Sequence, residues 1–286
     1  MTDKIIALVD GSVYAASVCE HAAWLAARSG MPVQLLHVLG RAHGDRAWLI
    51  AHDGDALAPA LQQAFATLCE RRVAGEPLAY LVGEKEFFGL RLRVDPRVLV
   101  PRPDTETLVD WALELLQGRP APRVIDLGTG SGAIALAIRH ARPDAHVEAV
   151  DRSAGALEVA AANAQALGLP LQLRQASWLE GAHGPYDLIA SNPPYVAAGD
   201  PHLPALRHEP TSALVAGANG LDDLRAIVQA APALLAPGGW LLLEHGWDQA
   251  AAVRDLLTAA GLHGAVSRRD LAGIERCSGA RRLELG

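Results

Sequence analysis

Cysteine is scarce in this 286-residue chain: Cys19, Cys69 and Cys277 are odd in number and scattered. That excludes a disulfide framework and offers no metal-ligand spacing, and it suits a reducing cytoplasm. The eleven histidines form no H-x-x-x-H or Cys-paired set, so no metal site is expected. No uninterrupted apolar run approaches the length of a membrane span, and the start, Met1-Thr2-Asp3-Lys4, lacks the layout of a secretory signal. A cytoplasmic protein with no membrane partner is expected. Net basic charge is also missing: 25 Lys and Arg stand against 32 Asp and Glu, a formal charge of −7. Extended nucleic-acid contact leaves a basic face, so no stable nucleic-acid partner is expected. Arg71-Arg72 and Arg91, Arg93, Arg97 and Arg102 are the candidates for a local basic patch.

What the chain has is apolar residues, half of the total, and two motifs that carry chemistry. Asn192-Pro193-Pro194-Tyr195 follows the apolar run Tyr186-Asp187-Leu188-Ile189-Ala190-Ser191. The prolines fix φ near −65° and push the residue before each into an extended form. The Asn192 side-chain oxygen and the Pro193 carbonyl can then both point outward as acceptors. Two acceptors and the flat Tyr195 ring suit a planar –NH2 group whose nitrogen is about to be alkylated. A rigid turn after a buried strand is the competing explanation.

The second motif, Val124-Ile125-Asp126-Leu127-Gly128-Thr129-Gly130-Ser131-Gly132, reads as a buried strand running into a glycine turn, with Ala133-Ile134-Ala135-Leu136-Ala137-Ile138 opening a helix. Such a turn sits where open α/β sheets bind nucleotides. The next strand ends in Asp151, 23 residues after Gly128, a spacing that suits a carboxylate on ribose hydroxyls. Gly128-x-Gly130-x-x-Ala133 also satisfies a loose dinucleotide pattern, but a dehydrogenase has no use for an Asn-Pro-Pro-Tyr amine clamp. The pair of motifs favours methyl transfer from S-adenosylmethionine.

From about 122 short apolar strands alternate with helices, the signature of an α/β fold with a doubly wound parallel sheet. Strands are expected near 123–127, 146–151, 171–175, 186–191 and 240–244, the last entered through a Pro237-Gly238-Gly239 turn. Two weaker ones near 263–268 and 280–284 would close an antiparallel edge. A helix over 154–167 would be capped by Gly168. Upstream, alternation over 87–100 predicts a β-hairpin turning at Asp95-Pro96. Pro101-Arg102-Pro103-Asp104-Thr105-Glu106-Thr107 leads into a helix to about 117, with Asp104 as N-cap and Glu106 favourable in its first turn. Residues 56–75 predict an amphipathic helix that Gly75-Glu76-Pro77 ends.

Several motifs in order carry a family resemblance: Gly75-Glu76-Pro77-Leu78-Ala79-Tyr80-Leu81-x-Gly83, Glu86-Phe87-Phe88-Gly89 and Pro101-Arg102-Pro103-Asp104-Thr105-Glu106 before the glycine turn; Ser191-Asn192-Pro193-Pro194-Tyr195, His208-Glu209-Pro210 with Ala213-Leu214, and Leu242-Leu243-Glu244-His245-Gly246 after it. Over residues 42–286 the chain resembles the release-factor glutamine N5-methyltransferases, the HemK/PrmC family. The resemblance implies a Rossmann-like seven-stranded methyltransferase domain with a linking β-hairpin over 85–286, and a remnant of the helical substrate-recognition domain over 42–84. It implies that Gly128, Thr129, Gly130, Ser131 and Gly132 cradle the methionine part of S-adenosylmethionine with Asp126 also a cofactor-binding residue, that Asp151 holds its ribose, and that Trp178 lies against the adenine. It further implies that Asn192 touches cofactor and substrate, that Asn192, Pro193 and Tyr195 are catalytic, and that Pro194, Arg102 and Glu106 join them in holding a glutamine of a class I peptide chain release factor, in its Gly-Gly-Gln loop. Ser177 stands where the family often has Asp, a weaker partner for the adenine amine. An aromatic plug in a loop is the competing reading of Trp178.

Residues 1–41 do not fit that pattern. Lys4 to Ser12, a helical stretch 15–28 and Val33 to Val38 read as β-α-β and resemble the opening of a universal stress protein without its phosphate loop. Two alternatives remain open in sequence: a nucleic-acid amino-methyltransferase acting on adenine N6 or cytosine N4, and an inactive fusion that retains cofactor binding.

Overall fold

The computed structural model describes residues 5–9, 33–37 and 59–283. The chain divides into two compact units, 1–86 and 87–286. In the first, β1 (Ile5–Val9) pairs in parallel with β2 (Val33–His37), in register Ile5 to Val33; the helix expected at 15–28 lies outside the described residues. Helix α1 (Pro59–Val73) is shorter than the expected 56–75 and is followed by α2 (Leu78–Val82). Arg71 makes a two-pronged bond to Glu76 just past the end of α1.

The hairpin over residues 84–93 differs from expectation. Its strands are β3 (Glu84–Phe87) and β4 (Leu90–Arg93), and the apex is Phe88-Gly89 rather than Asp95-Pro96. Both apex residues have positive φ, 50° and 76°, the twist that a two-residue hairpin turn requires. Asp95 instead accepts the Arg97 N–H through its side chain, a local turn outside the ladder.

The second unit is built on a seven-stranded sheet in the order β10-β11-β9-β8-β5-β6-β7. Its strands are β5 (Arg123–Leu127), β6 (His146–Asp151), β7 (Gln172–Gln175), β8 (Tyr186–Ser191), β9 (Leu235–Glu244), β10 (His263–Arg269) and β11 (Glu275–Arg281). The five from β5 to β9 pair in parallel; β11 and β10 add an antiparallel edge. Strand β9 begins five residues before the expected 240, running through Pro237-Gly238-Gly239. A Cβ on Gly239 would lie 2.7 Å from the Tyr186 carbonyl, so the glycine lets β9 close on β8, whose register shifts there. Strand β11 starts at 275, earlier than expected, because its antiparallel partner β9 reaches Glu244 opposite Cys277.

Side-chain alternation sorts the strands onto two cores. Val124, Leu188, Ala190 and Leu242 face a layer with α3 (Glu106–Leu115), α4 (Ala133–Ala141) and α5 (Ala154–Leu167), where Leu108, Trp111, Leu136 and Ile138 are buried. Their neighbours Ile125, Leu127, Ile189, Leu241 and Leu243 face α6 (Asp222–Leu234) and α7 (Ala250–Ala259) through Ile227, Val253 and Leu257. Helix α5 has its expected bounds, and Gly168 caps it at φ 66°. Asp104 does not cap α3. Pro103–Thr105 form a 3-10 turn, Thr105 is the N-cap residue without a side-chain cap bond, and the Asp104 carboxylate pairs with Arg276 at 3.4 Å.

Candidate active site

The carboxyl ends of β5, β6 and β8 open into a cleft of about 960 Å3, counting its open mouth. Gly128, Thr129, Gly130 and Ser131 form one wall, Asp151 and Trp178 a second, and Asn192 and Pro194 the edge nearest β8. Both sequence motifs therefore meet in one cavity, as the order of the sheet requires: β5 lies between β6 and β8.

The glycine turn is shaped by backbone bonds into β6. The Gly128 and Thr129 N–H groups donate to the Val150 carbonyl at 2.8 and 2.9 Å, and the Gly130 N–H to Asp151 Oδ2 at 2.9 Å. Asp151 Oδ1 accepts the Ser153 N–H at 2.9 Å, so its carboxylate is fixed on both sides while each oxygen keeps a lone pair. Gly128 sits at φ 68°, and a Cβ there would approach the Trp178 ring to 3.2 Å. Trp178, itself at φ 47°, thus closes over the glycine and also packs against the α6–α7 core. Trp178 thus both lines the cleft and packs on the core. Ser177 lines the cleft beside it.

Asp126 is wholly buried under the turn. Thr129 Oγ1 donates to its Oδ2 at 2.6 Å, and its Oδ1 has no hydrogen-bond partner. Burial pushes the carboxyl up to about 7 against the Thr129 and Ala135 hydrogen bonds. An orphaned buried carboxylate oxygen beneath a glycine cradle is an acceptor that would suit a ligand bringing N–H and O–H donors, such as an ammonium group or ribose hydroxyls.

The Asn192 side-chain amide donates to Thr105 Oγ1 at 3.2 Å. Pro193 is buried behind it. Tyr195 is not part of the cleft wall: its hydroxyl points to Glu244 Oε1 at 3.4 Å, and burial, reinforced by that carboxylate, raises its pKa. Its carbonyl accepts from Gln249 Nε2, an amide that also gathers the Asn219 and Gly220 carbonyls. Arg102 lines the cleft, but its guanidinium is paired with the buried Glu209. Glu106 accepts the Phe88 N–H at 3.0 Å, pinning the hairpin apex to α3. His245 is enclosed: Nδ1 meets the Gly246 carbonyl, Nε2 meets Ser278 Oγ, and burial lowers its pKa, so it is a neutral structural group.

Thr105 and Glu209 carry geometry that sequence reasoning did not assign. Glu209 accepts the Val100 N–H at 3.1 Å as well as Arg102, tying residues 100–102 to the loop after β8. That loop is closed at its root by a Val196–Val215 bridge and by the Ala198 N–H on the Gly217 carbonyl. The only advance signal for Glu209 was its place in His208-Glu209-Pro210.

Residues 109–246 match the methyltransferase small domain, and residues 25–83 match the PrmC N-terminal domain. The release factor glutamine methyltransferase of Bordetella pertussis is 55% identical over 247 residues, 85% of this chain and 90% of that one. The protein chain belongs to the release factor glutamine methyltransferase family. The enzyme of the same name from Burkholderia pseudomallei is 48% identical over 260 residues, covering 87% of this chain and 90% of that protein. The second family model begins at residue 25, inside the stretch that resembles a stress protein. Solved structures share the fold: a Thermus thermophilus 16S rRNA N2 G1207 methyltransferase superposes with TM-score 0.53 at 22% identity, over 70% of this chain and 49% of that one. A Pyrococcus furiosus methyltransferase gives 0.52 at 18% identity, over 69% and 91%. Among the described residues no helix is long and apolar enough to cross a membrane, and no cluster could hold a metal ion.

Proposed function

We propose that this enzyme methylates the side-chain amide nitrogen of the glutamine in the Gly-Gly-Gln loop of class I release factors, in the cytoplasm, with S-adenosylmethionine as donor. The observation that carries the reading is the shared cleft: Asn192 stands at its β8 edge, across from Gly128 and Asp151. When bound, the donor supplies a methyl group activated by its sulfonium. Gly128 to Gly132 and the buried Asp126 would hold its methionine part, Asp151 its ribose and Trp178 its adenine face, with Ser177 a weak partner for the adenine amine.

An amide nitrogen is a poor nucleophile because its lone pair is delocalised. Asn192 Oδ1 and the Pro193 carbonyl would accept its two N–H bonds and favour the positive charge that develops as the new N–C bond forms. Holding the two reactants in line supplies much of the remainder. No strong base is needed, since the proton becomes acidic only on methylation. Pro194 walls the pocket; Tyr195 acts through its backbone, which Gln249 anchors. Arg102, paired with Glu209, would shape the rim rather than grip the glutamine, and Glu106 would support it through the hairpin.

The test is incubation with labelled S-adenosylmethionine and, separately, a release factor, its Gln→Ala loop variant and duplex DNA. Label on the intact release factor alone is expected. Label on DNA would favour the amino-methyltransferase alternative, and donor binding without any transfer would favour an inactive fusion. Asn192→Ala should lower turnover about 100-fold, the usual cost of one oriented polar group, with donor affinity little changed.

A further inference from the structure

Gln249 stands at the N-cap of α7, where a side chain usually bonds the first turn, yet it makes no cap bond. It reaches back across the loop after β9 instead. Its Oε1 accepts the Gly246 N–H at 2.8 Å. Its Nε2 donates toward the carbonyls of Tyr195, Asn219 and Gly220 at 3.1, 3.3 and 3.4 Å. A backbone N–H can only donate, so the Gly246 bond settles which end of the amide is oxygen. The NH2 group then brings two protons to three carbonyl oxygens that would otherwise face one another without a donor. Two glycines make room for it. A Cβ on Gly246 would lie 3.0 Å from Gln249 Oε1, and one on Gly220 would lie 2.8 Å from Nε2.

The acceptor turn, Asn192 to Tyr195, needs such an anchor. Its near end is fixed by the sheet: Ser191 pairs with Leu127 and Leu243, and its hydroxyl donates to the Leu127 carbonyl at 2.7 Å. Pro193 and Pro194 have no N–H, so neither can tie the turn down by donating. The far end is held by the Val196–Val215 bridge and by Gln249 on the Tyr195 carbonyl. Two proline rings of fixed φ lie between, so a shift at Tyr195 is passed back to the Pro193 carbonyl rather than absorbed.

We propose that Gln249 is a positioning residue: its amide, oriented by the Gly246 N–H, holds the far end of the acceptor turn so that Asn192 Oδ1 and the Pro193 carbonyl keep their place at the cleft. The catalytic consequence rests on the glutamine methylation proposed above; the anchoring does not. Position 249 must offer an acceptor at one end and a donor at the other, not volume alone. A methionine fills similar space and donates nothing. An ionised glutamate still accepts from Gly246 but turns a second acceptor on the three carbonyls, which raises its own pKa. Once protonated it can donate one bond and restore part of the anchor. The charged groups nearby are Asp248, next in the chain, and Arg225 of α6, which bonds Asn219 Oδ1 and Asp222; all stay in every variant.

The test compares the full chain as wild type, Gln249→Met and Gln249→Glu. Tyr195-Val196 is the only Tyr-Val step in the sequence, so labelling tyrosine at its carbonyl carbon and valine at nitrogen gives one resonance that reports on the anchored carbonyl. Its shift should move in both variants at pH 8 and return toward the wild-type value in Gln249→Glu as pH falls to 6. In release-factor methylation, kcat should fall at least about tenfold in both variants at pH 8, within the roughly 100-fold that a misplacement of about 1 Å costs. Measured against the wild type at each pH, Gln249→Glu should recover at least about threefold by pH 6 as its carboxyl takes up a proton, and Gln249→Met should not recover. KM for the release factor and donor affinity should stay within about threefold, the mark of a change confined to turnover. An unmoved carbonyl, wild-type kcat in either variant, or a loss in Gln249→Glu that ignores pH would overturn the proposal. Donor affinity that falls in step with kcat would overturn it too, as a general loss of structure. A carbonyl that shifts and recovers, in a chain whose wild type methylates no release factor, would sink the proposed function and leave the anchoring intact.

Discussion

Replacing Gly220 by alanine should damage both stability and turnover through a single contact. Gly220 is buried at φ 71°, and an added Cβ would stand 2.1 Å from the Tyr195 carbonyl oxygen and 2.8 Å from Gln249 Nε2. Real Cβ atoms do not approach below 3.0 Å, so the two backbones must part by about 0.9 Å, the difference between 3.0 and 2.1 Å. The left-handed conformation costs an alanine roughly 1–2 kcal/mol, and the overpacking about 1–3 kcal/mol. The expected destabilisation is therefore about 2–5 kcal/mol. At roughly 2–4 °C per kcal/mol for a unit of this size, the melting temperature should fall by about 4–20 °C. The displaced atom belongs to the acceptor turn, and a misplacement of about 1 Å is enough to cost on the order of 100-fold in rate. The assays are urea denaturation and release-factor methylation at a temperature where the variant is still folded. Wild-type stability together with wild-type kcat would refute the claim that this contact fixes the turn. Lost stability with an unchanged kcat in the folded fraction would refute only its link to catalysis.

Other outcomes follow from the buried carboxyls and the glycine turn. Asp126 and Glu244 are both raised to about 7 from an unfolded value near 4. The native state binds more protons than the unfolded chain between those values, so these two groups make stability fall as pH rises from about 4 to 7. Asp126→Asn should flatten that slope, recovering up to roughly 3–4 kcal/mol at pH 8; urea midpoints at pH 5 and 8 that fall equally in variant and wild type would contradict it. Asp144, held down to about 2 by Arg142, contributes in the opposite sense, its stabilisation lost only as pH falls below about 4. Gly128→Ala should weaken S-adenosylmethionine binding about tenfold or more by calorimetry, since φ 68° and the Trp178 ring leave a methyl group no relaxed position.

The α/β architecture was readable wherever a strand is buried on both faces and bounded by a clear stop, as at Val124-Ile125 and at Gly168. Both ends of the cleft were readable too, because Asn192-Pro193-Pro194 and the glycine turn are each local and each lie where a parallel strand ends. Sequence misled where a residue does something its type rarely does. Phe88 turns a hairpin at φ 50°, and Gly239 sits inside a strand because Tyr186 of the neighbouring strand leaves no room for a Cβ. The Tyr195 hydroxyl turns to Glu244, a partner 49 residues away that no local pattern announces. The roles of Thr105 and Glu209 depend on partners 87 and 109 residues away, Asn192 and Val100, and no local pattern encodes such pairings.

The loop after β8 has a further meaning as a unit of change. Its two ends are already stitched together at Val196–Val215 and Ala198–Gly217, and Glu209 clips its far half to Val100. Between those fixed points, around Pro201 to Ala205, the chain is largely exposed. Lengthening a loop whose ends are already held costs little entropy, roughly 0.6 kcal/mol per doubling. This short arc can therefore be rewritten in length and composition while the acceptor turn beneath it stays where it is, a natural place to graft a new protein-recognition segment beside an unchanged methyl-transfer cleft.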